Sequence, residues 1–457
     1  MNITIIDPRY PYGKSKVFMN MSAISIAARL MAMSHRVNIL DLNLDDLKDS
    51  SVREVIRNSD IVGVTNMGAP YIPGTIELCY HLREQIRFEG VVVLGGQVIE
   101  HLTPVQFKKI FKGLGNIVQI RGDGDLAQVL GCGIEDIPSP ESVSFRPVFK
   151  MMSQTRLTTY FRHEGTLIFS QGCKYWCKFC CASKGRREQF RMLTHFEDDL
   201  RFVAEFAHRQ GLAQLEFYAS SLDFFQNPQM VEEYLKALVR VQEETGIRIF
   251  VRCLTCMGSF IKASQTIPDF GELLEHAGLW CIGFGMEGAD ESVWRSQNKN
   301  HNRKSDINRC LTLCDRFNIR TELTMSIGFE EDTLRTLFNA LMTSIVMVKR
   351  YSKVILRPFI AKEMVPGNEG WKIHTDEVER ILDDPSLFYN LDFCSVGSRL
   401  THKKFWHRLG CNFIYIAIIG LFAPRGRCAT SLILPQGGVG IFSKVARAIN
   451  RFMPFDR

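Results

Sequence analysis

Cys173, Cys177 and Cys180 stand in the run Ser170-Gln-Gly-Cys-Lys-Tyr-Trp-Cys-Lys-Phe-Cys180. Three thiolates spaced C-x3-C-x2-C on one tight loop can each take one iron of a [4Fe–4S] cube and leave the fourth iron open to a chelating molecule. Thr166–Ser170, just before the loop, reads as a buried strand, so the cysteines leave the carboxyl end of a strand, where α/β active sites sit. Structural zinc is the competing use of such thiols. It needs a fourth ligand at short range, and Cys181, adjacent to Cys180, offers poor tetrahedral geometry. Cys253 and Cys256 form a C-x2-C pair, but more than seventy residues separate them from Cys180, too far for a zinc ribbon. Those two could ligate an auxiliary cluster, but no further C-x2-C follows, and they read as buried free thiols.

The elements that must position this loop alternate along the chain. In residues 1–140 the strands are Ile3–Asp7, Arg36–Leu42, Ile61–Thr65, Val91–Gly96 and Ile117–Arg121, with helices at Met21–Met33, Val52–Asn58 and Thr75–Phe88. Strand–helix alternation implies right-handed crossovers and a parallel, doubly wound α/β sheet. A Pro/Ser linker, Ile137–Ser142, follows. Residues 145–365 alternate again, with strands near 166–170, 214–218, 247–252, 281–285, 320–327 and 353–359. Residues 366–457 lose the rhythm and form a mixed, basic C-terminal region.

Phe179 completes the form C-x3-C-x-aromatic-C, and with it the chain resembles the radical S-adenosylmethionine (radical SAM) superfamily. The first 140 residues resemble the cobalamin-binding domain that precedes many cores of that superfamily. The matching pieces are Ala28-Arg-Leu, His35-Arg-Val and Asp41, the strand Asp60-Ile-Val-Gly-Val-Thr65, the turn Val93-Leu-Gly-Gly96, and Arg121-Gly-Asp-Gly-Asp125 where the family has Arg-Gly-Glu-Gly-Glu. The signature of histidine-ligated cobalamin, Asp-x-His-x-x-Gly, is absent, since Asp7 is followed by Pro-Arg-Tyr-Pro-Tyr-Gly. Relatives without that histidine still bind cobalamin. The resemblance implies a Rossmann-like domain at 1–140, a partial (β/α)6 barrel at 145–365, and three cofactors: a [4Fe–4S] cluster, SAM and cobalamin.

It also implies a reaction. One electron into the cluster cleaves SAM to methionine and a 5′-deoxyadenosyl radical, and the best-supported outcome is cobalamin-dependent methylation of an unactivated carbon in a small-molecule or natural-product substrate. Two alternatives stay open: a cobalamin-independent dehydratase, cyclase or epimerase, and a non-catalytic metal-stabilised binding protein. A flavodoxin or ferredoxin-type donor would supply the electron.

Residues at strand ends carry the remaining expectations. Phe179 packs on adenine or simply belongs to the core. Ser220, Ser221 and Asp223 stand where relatives meet the SAM amine, and are also ordinary loop formers. Gly285-Met-Glu-Gly288 resembles the family's Gly-Ile-Glu-Ser element, and Glu287 in an apolar run needs a partner if buried. Thr324, Ser326 and Gly328 lie on Glu322–Thr333, which resembles the family's Gly-Leu-Pro-Gly-Glu-Thr segment near the ribose, with Glu330 replacing the proline and Glu331 the glycine. Gly95 and Gly96 let backbone approach a flat ring at the sheet's carboxyl edge, or serve a tight turn. Lys174, Lys178, Arg186 and Arg187 surround a net-negative cluster or form a solvated face. No catalytic acid, base or hydrogen donor can be named.

Composition agrees with a large globular chain: 457 residues, 46% apolar and 23% charged. The net charge of +7 is local. Residues 401–457 hold nine Lys/Arg against Asp456 alone, leaving the other 400 residues at −1. This excludes a global nucleic-acid footprint and points to peripheral contact with anionic lipid, an anionic substrate, or solvated charge. Met1-Asn-Ile-Thr-Ile-Ile lacks a basic leader, so a reducing, cytoplasmic setting is expected for the fourteen cysteines. The longest apolar run, Phe413–Ala423, is about half a membrane span, and no spanning helix is expected.

Overall fold

The computed structural model describes residues 1–11, 17–162, 164–182, 188–392, 394 and 405–429. Five strands, β1 (Asn2–Asp7), β2 (Arg36–Asp41), β3 (Ile61–Thr65), β4 (Val91–Gly95) and β5 (Ile117–Gln119), form a parallel sheet in the order β2-β1-β3-β4-β5. Alternation of side chains fixes what each face buries. Ile3 and Ile5 point toward the second domain, whereas Ile6, Val62, Val92 and Leu94 point into a separate apolar core. The helix Met21–Ala32 starts on Asn20, whose Oδ1 accepts from the Ser22 and Ala23 amides and satisfies two otherwise orphaned donors.

The second domain pairs β6 (Glu164–Ile168), β9 (Gln214–Ser220), β10 (Arg248–Thr255), β11 (Leu279–Gly285), β12 (Arg320–Ile327) and β13 (Val354–Ile360), all parallel and in chain order. Six such parallel strands with helices between them match the alternation, and their order is that of the partial (β/α)6 barrel that the resemblance implies. A short antiparallel hairpin, β7 (Ser170–Gln171) with β8 (Gln189–Phe190), brackets the cysteine loop and was not foreseen.

The two domains are locked together. The helix Gln154–Phe161, absent from the sequence reading, holds Arg156, whose guanidinium donates to the Ile39 carbonyl at 2.7 Å and takes Asp45 bidentately at 2.5 and 2.7 Å. From the next turn Tyr160 donates to Asp41 at 2.8 Å. Beyond the barrel, Met364, Val365, Trp371, Val378, Ile381 and Phe388 pack into the N-terminal domain's own core, so residues 364–391 return to that domain rather than standing apart.

The C-terminal reading needs one correction. The helix runs Phe405–Phe422 with a 3-10 turn to Arg425, eight residues earlier than the apolar run suggested, and by length and composition it is long and apolar enough to cross a membrane. Its Tyr415, Ile418 and Ile419 are buried against the barrel, as for a core helix, while Phe405, Trp406 and Phe413 are exposed. Of the basic tail, Arg427 is structural: it donates to the carbonyls of Val354, Val348 and Tyr351. Lys403, Lys404 and the cations from Lys444 onward lie outside the described residues.

Candidate functional site

The cysteine loop leaves the end of β6 through the β7–β8 hairpin, and neighbouring elements fix its course. The Lys174 amide donates to Gln226 Oε1 at 3.1 Å, the Lys178 amide to the Gln297 carbonyl at 3.1 Å, and Asn298 Nδ2 to the Trp176 carbonyl at 2.9 Å. A turn closes the loop, with the Cys180 amide on the Cys177 carbonyl at 3.2 Å. Cys173, Cys177 and Cys180 are all half-buried, and no described cysteine forms a disulfide. Burial pushes the Cys173 and Cys177 thiols up to about 11, so stable thiolates there need a cation beside them, which iron supplies. The donor set and its mouthward position fit a [4Fe–4S] cluster.

Behind the loop lies an ion pair that the sequence reading caught by half. Glu287, at the end of β11, adopts φ +43° and is buried. Its Oε1 accepts from Lys299 Nζ at 2.6 Å, and its Oε2 from the Ser326 amide at 3.3 Å. Lys299 is fully buried; desolvation lowers its pKa, but Glu287, Cys256 and Cys177 outweigh that and raise it. The ammonium also lies 5.7 Å from the centre of the Phe179 ring. Lys299 therefore joins Phe179, Glu287, Ser326 and the cysteines into one constellation. Nothing in its sequence neighbourhood, Gln297-Asn-Lys-Asn300, marks it, because a loop has no periodicity.

Each remaining expected residue has a defined place. Phe179 packs on Phe329 with ring centres 5.5 Å apart, beside Val293 and Ala361. Ser221 Oγ lies 2.9 Å from Ser170 Oγ, which donates to Glu188 Oε1 at 2.8 Å, and Ser220 ends β9 beside them. Asp223 accepts from Thr255 Oγ1 at 2.6 Å, the Cys256 amide at 2.9 Å and Ser259 Oγ at 2.6 Å, holding the start of the helix Met257–Thr266. Thr324 Oγ1 donates to the Phe284 carbonyl at 3.1 Å, and the Gly328 amide to Asp332 at 2.7 Å. Cys253 is buried; Cys256 Sγ lies 3.6 Å from His301 Nε2, and the His301 ring stacks on Tyr175 of the cysteine loop at 3.7 Å. Burial, then Lys299 and Lys174, push His301 down to about 3, keeping it neutral. Arg186 and Arg187 lie outside the described residues.

The carboxyl edge of the first sheet faces this constellation. Gln97, just after β4, donates to Cys181 Sγ at 3.3 Å, and His101 Nε2 sits 2.9 Å from the Cys181 carbonyl, so the loop after β4 touches the residue next to the last cluster cysteine. Asn66, at the end of β3, is fully buried with its Nδ2 unpartnered, an orphaned donor at the crevice. Gly95 is open, since a Cβ there would meet nothing nearer than Ile120 at 3.8 Å. Gly96 serves the strand ends instead: at φ +107° its Cβ would come within 2.4 Å of the Asn66 carbonyl oxygen. A polar donor and an open glycine at this edge fit a large planar ligand.

Asp7, at the end of β1, has its carboxyl pushed up to about 7 by burial and by Asp41, against hydrogen bonds from Asn20 at 2.7 Å and Thr65 at 3.4 Å. The folded protein then binds a proton that the unfolded chain has released, and stability must fall as pH rises from about 4 to about 7. Urea midpoints should show this slope, and Asp7→Asn should flatten it relative to wild type. Identical slopes in the two proteins would show that Asp7 does not titrate there.

No family model matches the chain. Over 174 residues it is 23% identical to the hopanoid C-2 methylase of Rhodopseudomonas palustris (strain TIE-1), covering 38% of this chain and about a third (31%) of that relative's length. The radical SAM methyltransferase TsrM of Kitasatospora setae, solved with cobalamin and a [4Fe–4S] cluster, superposes at TM-score 0.65 with 14% identity, over 98% of this chain and 99% of that one. Its form with tryptophan substrate and a SAM analogue gives 0.58 at 17% identity, over 78% and 73% of the two chains. The cobalamin-dependent SAM radical enzyme OxsB, in its apo form, gives 0.54 at 14% identity, over 85% and 56%. A doubly wound first domain facing a six-stranded parallel sheet, with C-x3-C-x2-C following the first strand of the second sheet, gives this chain the fold of that TsrM structure.

Proposed function

We propose that the protein is a radical SAM enzyme that transfers a methyl group, with cobalamin, to an unactivated carbon of a small-molecule substrate. The single observation that carries this is the junction of the two domains: the loop after β4 reaches the cysteine loop through Gln97, His101 and Cys181, so a ligand of the crevice and a ligand of the open iron would meet over one space. When bound, the cluster supplies the electron that cleaves SAM, and cobalamin supplies a methyl carrier. The chain's own residues orient and enclose. Cys173, Cys177 and Cys180 hold the iron; Lys299, held by Glu287, sets a fixed positive charge beside a net-negative cluster; Phe179, Phe329 and Val293 keep water from its flank. Ser220, Ser221, Thr324, Ser326 and Gly328 line the strand ends where we place SAM. His101 is engaged with Cys181, which supports binding of cobalamin with no histidine on cobalt.

The test is reconstitution with iron, sulfide and cobalamin under anaerobic conditions, followed by gel filtration, visible spectroscopy and incubation with SAM and a low-potential reductant. Retained cobalamin without a histidine ligand, together with release of 5′-deoxyadenosine, is the expected result. Gly95→Trp, which fills open space, should abolish cobalamin retention and leave the iron content intact. Gly96→Trp is unsuitable because it strikes the Asn66 backbone. A wild type that releases 5′-deoxyadenosine and turns over substrate without holding cobalamin is instead a dehydratase, cyclase or epimerase. One that binds iron and never cleaves SAM is a binding protein.

A further inference from the structure

We propose that Glu330, Glu363 and His374 form a second metal site, for one divalent first-row transition ion, at the barrel mouth and separate from the iron–sulfur loop. Glu330 follows the turn after β12, Glu363 follows β13, and His374 sits between the helices Glu369–Ile373 and Thr375–Asp383. One ligand atom from each lies within 4.8 Å of the other two. Metal–ligand bonds of about 2.0–2.2 Å place ligand atoms roughly 3–4 Å apart, so a small convergence closes the site.

The imidazole points to a missing ligand. His374 is 6% exposed, with Nδ1 buried and unpartnered. Its Nε2 lies 3.6 Å from Glu330 Oε2, too long for a hydrogen bond and suited to an ion between them. A metal on Nε2 would give this buried ring a ligand on the side that faces the carboxylates. The carboxylates tell the same story. Glu363 is half-buried beside Glu330, whose amide donates to its Oε1 at 3.3 Å. A divalent cation would bridge the two carboxylates. Two carboxylates and one imidazole suit Mn2+, Fe2+ or Zn2+ rather than a soft thiophilic ion.

The geometry holds the three segments in place without metal. Gly370 lets its helix close on Glu363, since a Cβ there would lie 2.4 Å from the Glu363 carbonyl oxygen. The same helix reaches the cysteine loop, where the Glu369 amide meets the Lys178 carbonyl at 3.5 Å. On its far side the helix Thr375–Asp383 buries Val378, Ile381 and Leu382 in the N-terminal domain. An ion here would tie the barrel mouth to the element that docks the first domain. Glu330 is this chain's own feature, standing where the segment it resembles has proline, which offers no ligand.

The experiment uses the full chain with its iron–sulfur cluster loaded, stripped of loose metal on a chelating column and titrated with Mn2+ while the EPR signal of free Mn2+ is followed. Wild type should remove about one Mn2+ per chain from the signal, and Zn2+ should displace it. Glu363→Gln and His374→Ala should each weaken Mn2+ binding at least tenfold with iron content unchanged. If either fails to fold, Glu330→Gln, whose side chain is exposed, carries the same expectation. No stoichiometric Mn2+ or Zn2+ uptake by wild type, or equal uptake by the variants, overturns the proposal.

Discussion

Alanine at Cys173, Cys177 and Cys180 together should leave a folded protein that holds no iron, while anaerobically reconstituted wild type is brown and holds about four iron and four sulfide per chain. Folding should survive because the loop is pinned by groups other than its thiols: Gln226, the Gln297 carbonyl and Asn298 hold it by hydrogen bonds. The thiols are half-buried, so their loss opens no deep cavity. Iron and sulfide assays, a thermal melt and 5′-deoxyadenosine release check the three parts. Stoichiometric zinc without iron in the wild type would sink the radical SAM reading.

The largest loss of stability is expected at Asp199. Its carboxylate takes Arg191 at 2.5 Å, the amides of Phe145 and Arg146 at 2.9 and 2.8 Å, and Ser144 Oγ at 3.0 Å, with both charged side chains at most 1% exposed. Asp199→Ala strands the guanidinium, whose Nε and Nη1 already lack partners. Removing one partner of a buried pair costs about 3–5 kcal/mol, a large part of the roughly 5–15 kcal/mol that holds a domain together. Arg191 directly follows β8, so the hairpin that carries the cysteine loop should loosen as well. A lower denaturation midpoint with reduced iron uptake is expected. A melt unchanged from wild type would mean that water replaces the carboxylate.

Much of this was legible in the chain. The eleven strands of the two sheets announce themselves mostly as short apolar runs between turn residues, because parallel strands covered on both faces favour apolar side chains. Their parallel order follows from the helices between them, and the cysteines are legible because cluster ligation fixes both residue type and spacing. Other features depend on distance in space. Lys299 reaches Glu287 only after β11 and the loop beyond it have folded. The links from Gln97 and His101 to Cys181 span 84 and 80 residues of sequence. The hairpin β7–β8 has two-residue strands, below any periodic signal. The start of the last helix was hidden because Phe405-Trp-His-Arg-Leu-Gly-Cys-Asn412 mixes polar and apolar residues, and only packing on the barrel selects its face.

The apolar cores of this molecule ignore the boundary between its domains. Ile3, Ile5 and Val93 of the first sheet share one core with Phe145, Tyr160 and Phe217 of the barrel unit, and the opposite face is sealed by Trp371, Val378 and Phe388 from beyond the barrel. Thermodynamically the chain is then a single account, in which a ligand bound to the native state at one end stabilises the other by mass action. A ligand held in the crevice would protect the cysteine loop from opening, and loss of a group held by that loop would be felt as weaker retention in the crevice, with no moving part between them. The order of loading would then be a property of the protein, measurable as the free energy by which one ligand raises the affinity for the next.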